Sequence, residues 1–170
     1  MRVVAKVLAL TLLASPALVP SVHAQPAAPL SSKDKRFLTQ DVRGGAYELA
    51  IALLAQKLSA RDDVKAYAAK LVADHTTYNQ ALQDLGHTKG LNVPAGMTAT
   101  ESHKVKSLGN LTGDKFDRAF IKEAVRLNDQ DKKGAEAETR YTKDADIKAF
   151  LAKFAAMDSE HETMAKALQR

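Results

Sequence analysis

Apolar residues recur at alternating steps of four and three along four stretches of this 170-residue chain, and that spacing commits each stretch to an amphipathic helix. The first runs from about Asp34 to Ser59, with a stripe of Phe37, Asp41, Gly44, Glu48, Ile51, Ala55 and Leu58. The second, about Asp62 to Thr88, carries Val64, Ala68, Leu71, His75, Tyr78, Leu82 and Leu85 and stops at Gly90. A third reaches from a cap at Thr112 to about Thr142, with Phe116, Phe120, Ala124 and Leu127 on one side. Asp144 caps the fourth, whose stripe is Ile147, Leu151, Phe154, Asp158, His161, Ala165 and Leu168.

The connections decide how these helices meet. Short turns at Ser59 to Asp63 and before Asp144 require antiparallel hairpins, whereas the stretch from Gly90 to Thr112 is long enough to cross the fold. That long connection carries Pro94, Gly96 and Gly109 around a short helix near Ala99 to Leu108. The expected fold is therefore all-α: an antiparallel four-helix bundle made of two helical hairpins. Asp63-Val-Lys-Ala-Tyr-Ala-Ala-Lys-Leu71 is echoed by Asp146-Ile-Lys-Ala-Phe-Leu-Ala-Lys-Phe154, so the hairpins share one architecture. Almost nothing alternates in the manner of a strand.

Before the bundle lies an export signal. Arg2 and Lys6 form a basic start, Val7 to Val19 an apolar run, and Val22-His23-Ala24 a small-x-small cleavage site. Pro16 and Pro20 interrupt a run already shorter than the roughly 20 residues that span a bilayer, so the expectation is cleavage, with no membrane insertion of the mature chain. The division is then residues 1–24 as signal peptide, 25–32 as a leader with Pro26 and Pro29, and 33–170 as the bundle, soluble in the periplasm or an equivalent exported compartment.

Composition narrows the chemistry. Without cysteine there is no disulfide framework, thiolate metal site, lipoprotein anchor or covalent haem. Losing the two basic residues of the signal lowers the formal charge from +5 to +3, and the remaining charges alternate along helices, so no nucleic-acid partner is expected. No base stands beside a nucleophile, and no catalytic residue is assigned. His87 and His103 fall near or in the long connection and are expected in solvent. Met97, Met157 and Met164 read as packing or linker residues. Gly44-Gly45 costs about 1 kcal/mol per glycine inside a helix, which close approach of a neighbouring helix would explain.

The informative positions are the polar members of the packing stripes: Asp41, Glu48, His75, Asp158 and His161, with Asn128 on the flank of Ile121 and Ala124. In an antiparallel hairpin, residues equidistant from the turn lie level. Glu48 and His75 are centred on the first turn, and Asn128 and His161 on the second. At about 1.5 Å per residue both pairs sit roughly 20 to 25 Å from their turns, near mid-helix. One layer can hold all four.

A carboxylate and two imidazoles meeting in a core suit one divalent transition ion: zinc, iron, copper or nickel. Asp158, one turn before His161, adds a second carboxylate. The candidate metal ligands are thus Glu48, His75, His161, Asp158 and Asn128. The same residues serve equally as a buried hydrogen-bonded layer that fixes helix register without metal. A di-iron centre is disfavoured, since Val72 stands where a second carboxylate-x-x-His pair would need an acid.

Phe37-Leu-Thr-Gln-Asp-Val-Arg-Gly-Gly-Ala-Tyr-Glu48, Val64-Lys-Ala-Tyr-Ala-Ala-Lys-Leu-Val-Ala-Asp-His75 and Phe116-Asp-Arg-Ala-Phe120 together resemble the bacterial domain-of-unknown-function family numbered 4142, from about Phe37 to Leu168. The resemblance implies a ferritin-like fold in an exported protein, often labelled an outer membrane protein and without an established activity. Its pattern carries a glutamate, two Asp-His pairs and a final histidine, matched by Glu48, Asp74-His75 and His161. The remaining pair falls on Leu127-Asn128, which removes one imidazole. No strands exist to build a membrane barrel, so the label speaks of export. The reading is an exported helical bundle that binds one metal ion, or an envelope interaction or stress-related protein with a purely structural polar layer and a protein partner that the sequence does not name.

Overall fold

The computed structural model describes residues 29–93 and 96–169 and is helical throughout, with no strand among the described residues. The segment expected to be a signal peptide, and the first part of the expected leader, lie outside them. Five helices follow one another: α1 (Ser32–Leu58), α2 (Asp62–Thr88), α3 (Ala99–Gly109), α4 (Gly113–Tyr141) and α5 (Ala145–Ala167). The short segment expected near Ala99 is thus a helix of 11 residues, and α1 begins one residue inside the expected leader.

Local chemistry sets most of the boundaries. Ser31 and Asp34 form a reciprocal capping box that opens α1, and Thr98 and Glu101 do the same for α3. Asp144 Oδ1 accepts the amides of Asp146 and Ile147 to start α5. Gly90, at φ +69°, ends α2 in the left-handed region that glycine tolerates. Its amide returns to the His87 carbonyl and that of Leu91 to the Gly86 carbonyl. Thr112 departs from expectation: it occupies the cap position of α4, but its side chain makes no capping bond.

α1 packs along α2 and α4 along α5, while α1 also meets α4, α2 meets α5, and α3 lies against α1 and α4. Contacts climb α1 as they descend α2, from Asp41 with Tyr78 to Glu48 with His75. One end of the molecule is tied by Lys89, whose ammonium sits 2.6 Å from both Asp144 and Asp146. At the other end Arg61 donates to the Leu168 carbonyl at 3.2 Å, and the Ala60 amide to Asp117 at 3.3 Å.

The interior is divided. One apolar cluster gathers Ile51, Ala55, Val64, Leu71, Phe116, Phe120 and their neighbours. A second gathers Leu38, Val42, Leu82, Ile147, Leu151 and Phe154. Between them in sequence height stand Glu48, His75, Asn128 and His161, all buried. The α2 and α5 stripes are buried nearly as expected. In the first half of α1 the fully buried line is Leu38, Val42 and Gly45, one residue away from the expected Phe37, Asp41 and Gly44, which are only half-buried. A strict seven-residue spacing drifts about 20° per repeat on a straight helix, so a stripe centred at Ile51 arrives at the N-terminal half rotated toward the rim. No described helix is long and apolar enough to cross a membrane.

Candidate functional site

Two imidazoles face each other in the middle of the core, and their surroundings differ. His161 comes from α5 and His75 from α2, with ring centroids 5.4 Å apart. His161 is 2% exposed, and its Nε2 lies 2.7 Å from Asp74 Oδ2. Asp74 reaches the surface, where Lys70 holds it at 2.9 Å and in turn meets Glu160 at 3.0 Å. A carboxylate can only accept, so the Nε2 of a neutral His161 carries the hydrogen and its Nδ1 is left as a bare lone pair.

His75 is 5% exposed and has no such anchor. Glu48 Oε2 stands 2.7 Å from its Nε2, yet off the direction in which a ring hydrogen points, so neither ring nitrogen makes an aligned hydrogen bond. A buried polar group in that state costs free energy, and such groups are uncommon in folded proteins.

Four carboxyl groups surround the two rings. Glu48 and Asp41 on α1, Asp131 on α4 and Asp158 on α5 line one cavity of about 30 Å³ together with His75, His161 and Asn128. Burial pushes Glu48 and Asp41 up to about 7, Asp41 despite a 2.6 Å hydrogen bond from Tyr78 Oη. Burial and the neighbouring Glu48 hold Asp131 well above the ordinary carboxylate range, and burial raises Asp158. Burial lowers His75, and lowers His161 against the pull of Asp74. The physical sense is uniform: a small, poorly solvated space disfavours every charge placed in it unless a counter-charge arrives. Glu48 and Asp131 are within hydrogen-bond reach of each other, which a proton on Asp131 satisfies.

All five sequence-derived candidates, Glu48, His75, Asn128, Asp158 and His161, thus line the same cavity. Asn128 spends both amide hydrogens elsewhere, on Tyr67 Oη at 3.0 Å and the Ala124 carbonyl at 2.8 Å, so only its amide oxygen is left for a ligand. Among the described residues no group of three or more His, Cys, Asp or Glu side chains is set, as it stands, to hold a metal ion. His87 and His103 are exposed, as expected.

Sequence reasoning missed Asp131 and the Tyr78–Asp41 pair. Asp131 follows Asn128 by three residues, one helical turn along the same face, and that spacing was the available signal. Of the two adjacent glycines, only Gly45 has the packing role expected of both: a Cβ there would collide with the Asn79 side chain, whereas one at Gly44 would meet nothing within 4 Å.

A family model described as "Domain of unknown function (DUF4142)" matches residues 19–168. Among solved structures, the crystal structure of a DUF305 fragment from Deinococcus radiodurans superposes with a TM-score of 0.71 at 12% sequence identity, covering 84% of this chain and 99% of that one. At that identity the likeness is one of fold. No curated protein matches the chain.

Proposed function

We propose a function from the premise that this chain belongs to the DUF4142 family, whose model it matches over most of its length: an exported helical bundle whose mid-core layer takes up one divalent transition-metal ion in exchange for protons. The observation that carries this reading is His75, a buried imidazole with both nitrogens unpartnered, beside a glutamate that burial keeps protonated up to about pH 7.

Glu48, His75 and His161 Nδ1 are the natural ligands, with Asp158 or the Asn128 oxygen completing a mixed nitrogen and oxygen set that suits zinc, iron, copper or nickel. Asp74 then acts as the carboxylate that orients a ligating histidine from behind. The cavity has room for about one water-sized occupant. Its donors do not yet converge, so binding would draw Glu48 and Asp158 inward and displace their protons.

Two further parts of the reading rest on sequence pattern and packing. The pairing of α1 with α2, whose contacts run in opposite senses, and of α4 with α5 across a short turn supports an antiparallel four-helix bundle of ferritin-like type formed by residues 33–170, with α3 as an addition within the crossover. Arg2, Lys6, the apolar run and Val22-His23-Ala24 support cleavage after Ala24, which N-terminal sequencing of the secreted chain tests by its first residue, Gln25.

The competing reading, a metal-free layer that only fixes register, is favoured by the lack of three converging donors. His75→Leu separates the two. Loss of stoichiometric metal with the fold retained supports the site, whereas raised stability with unchanged metal content supports a structural layer. Elemental analysis of untagged protein from its native compartment is the direct test. Absence of zinc, iron, copper and nickel, together with no melting shift on adding them, would overturn the metal assignment.

A further inference from the structure

A buried site must be reached, and two cavities share a wall here. The mid-core cavity of about 30 Å³ is lined in part by Phe37, Asp41 and Asp131, and the same three residues line a groove of about 630 Å³ between α1, α3 and α4. Asp41 and Asp131 are only half-buried, as side chains standing between the two spaces must be.

Each of these carboxyls has a glycine three residues further along its helix, Gly44 after Asp41 and Gly134 after Asp131. That spacing puts each glycine beside its acid on one face, and both glycines line the groove. Glycine within a helix costs about 1 kcal/mol relative to alanine. No packing contact accounts for it at either position, because an added Cβ would meet nothing within 4 Å. Gly45, by contrast, is held small by Asn79.

We infer that the polar layer is reached from solvent through the groove between α1, α3 and α4, by the gap that Gly44 and Gly134 leave in front of Asp41 and Asp131. The geometry is independent of cargo; that the traveller is a divalent cation rests on the proposed function. The groove carries charges of both signs, with Arg43 and Glu101 also on its lining. Arg126 is paired with Glu123 at 2.7 Å and Lys104 approaches the same carboxylate at 3.5 Å, while Asp41 and Asp131 stand at the inner end. A shallower groove between α4 and α5 also touches the cavity wall, at Ala135 and Asp158, and Ala155 lines it. No glycine opens that side.

The test fills each groove in turn and reads two rates on the purified chain. Gly44→Leu with Gly134→Leu obstructs the proposed route, the corresponding alanines leave it open, and Ala155→Leu obstructs the other side. The first rate is carbethoxylation of His75 and His161 by diethyl pyrocarbonate, followed by mass spectrometry, with exposed His87 and His103 as internal references. The second is uptake of zinc alone. The double leucine variant is expected to slow labelling of His75 at least fivefold, with His87 and His103 unchanged, and to slow zinc uptake without altering final occupancy. The alanine pair and Ala155→Leu are expected to behave as wild type. Unaltered rates in the double leucine variant, or slowing confined to Ala155→Leu, would overturn the route. Slowed labelling in the double leucine variant, when the wild type takes up no zinc, keeps the route and rejects the metal.

Discussion

The apolar cluster around Phe116 and Phe120 and the polar layer above it occupy neighbouring levels of one core and are held by opposite means. In the cluster, Tyr67, Phe116 and Phe120 are essentially inaccessible, with the two phenylalanine rings stacked at 6° and 6.1 Å. Such packing is complete in itself, because dispersion and exclusion of water ask for no partner outside it. In the layer, four carboxyls and two imidazoles line about 30 Å³, and His75 remains without an aligned hydrogen bond. A third region shows that buried acids alone do not create this state. Asp34 and Glu138 meet at the end of α4 beside Ser31 and Thr142; as carboxylates each leaves one buried oxygen unpartnered, and a single proton shared between them would satisfy both. The layer differs in retaining unused ligand capacity.

The comparison can be broken most forcefully from the apolar side. Phe120→Ala is expected to cost about 3–5 kcal/mol by the large-to-small rule, read as a fall in the urea midpoint with unchanged slope. The layer should respond in the other direction. Replacing His75 and Glu48 together by leucine is expected to raise metal-free stability by about 1–3 kcal/mol, since apolar replacements of buried ionisable pairs are often stabilising. A loss of stability as large as that of Phe120→Ala would erase the distinction.

Smaller is the effect of pH at the self-satisfied pair. Burial and the adjacent Asp34 push Glu138 up to about 7 from an ordinary 4.5. The folded state therefore holds a proton that the unfolded state releases, and this contribution is full below about 4.5 and disappears as pH rises through about 7. Glu138→Gln should flatten the pH dependence of thermal unfolding over that interval, and an unchanged slope would remove the shared proton. Smallest are the glycines. Gly44→Ala is expected to gain up to about 1 kcal/mol, while Gly45→Ala, which must displace Asn79, is expected to lose stability in the same calorimetric measurement.

Period and turn chemistry made the helices legible, and level arithmetic about two turns brought Glu48, His75, Asn128 and His161 to one height. These are local or nearly local quantities. What escaped was what period alone does not encode: the rotation that turns Leu38 and Val42 inward, the different fates of two adjacent glycines, and the arrival of Asp131. Asp74 was visible only as half of an Asp-His pair. Its grip on His161 depends on how far α2 stands from α5, which no spacing within either helix can report.

The fastenings at the two ends have a mechanical consequence. Lys89 clasps Asp144 and Asp146 at one pole, while Arg61 and Asp117 secure the other. Rods anchored at both tips cannot relieve a pull at mid-span by sliding past one another. An inward pull on Glu48 or Asp158 by an ion of the proposed kind would then be met by side-chain rotation and a slight bowing of the rods toward their common axis.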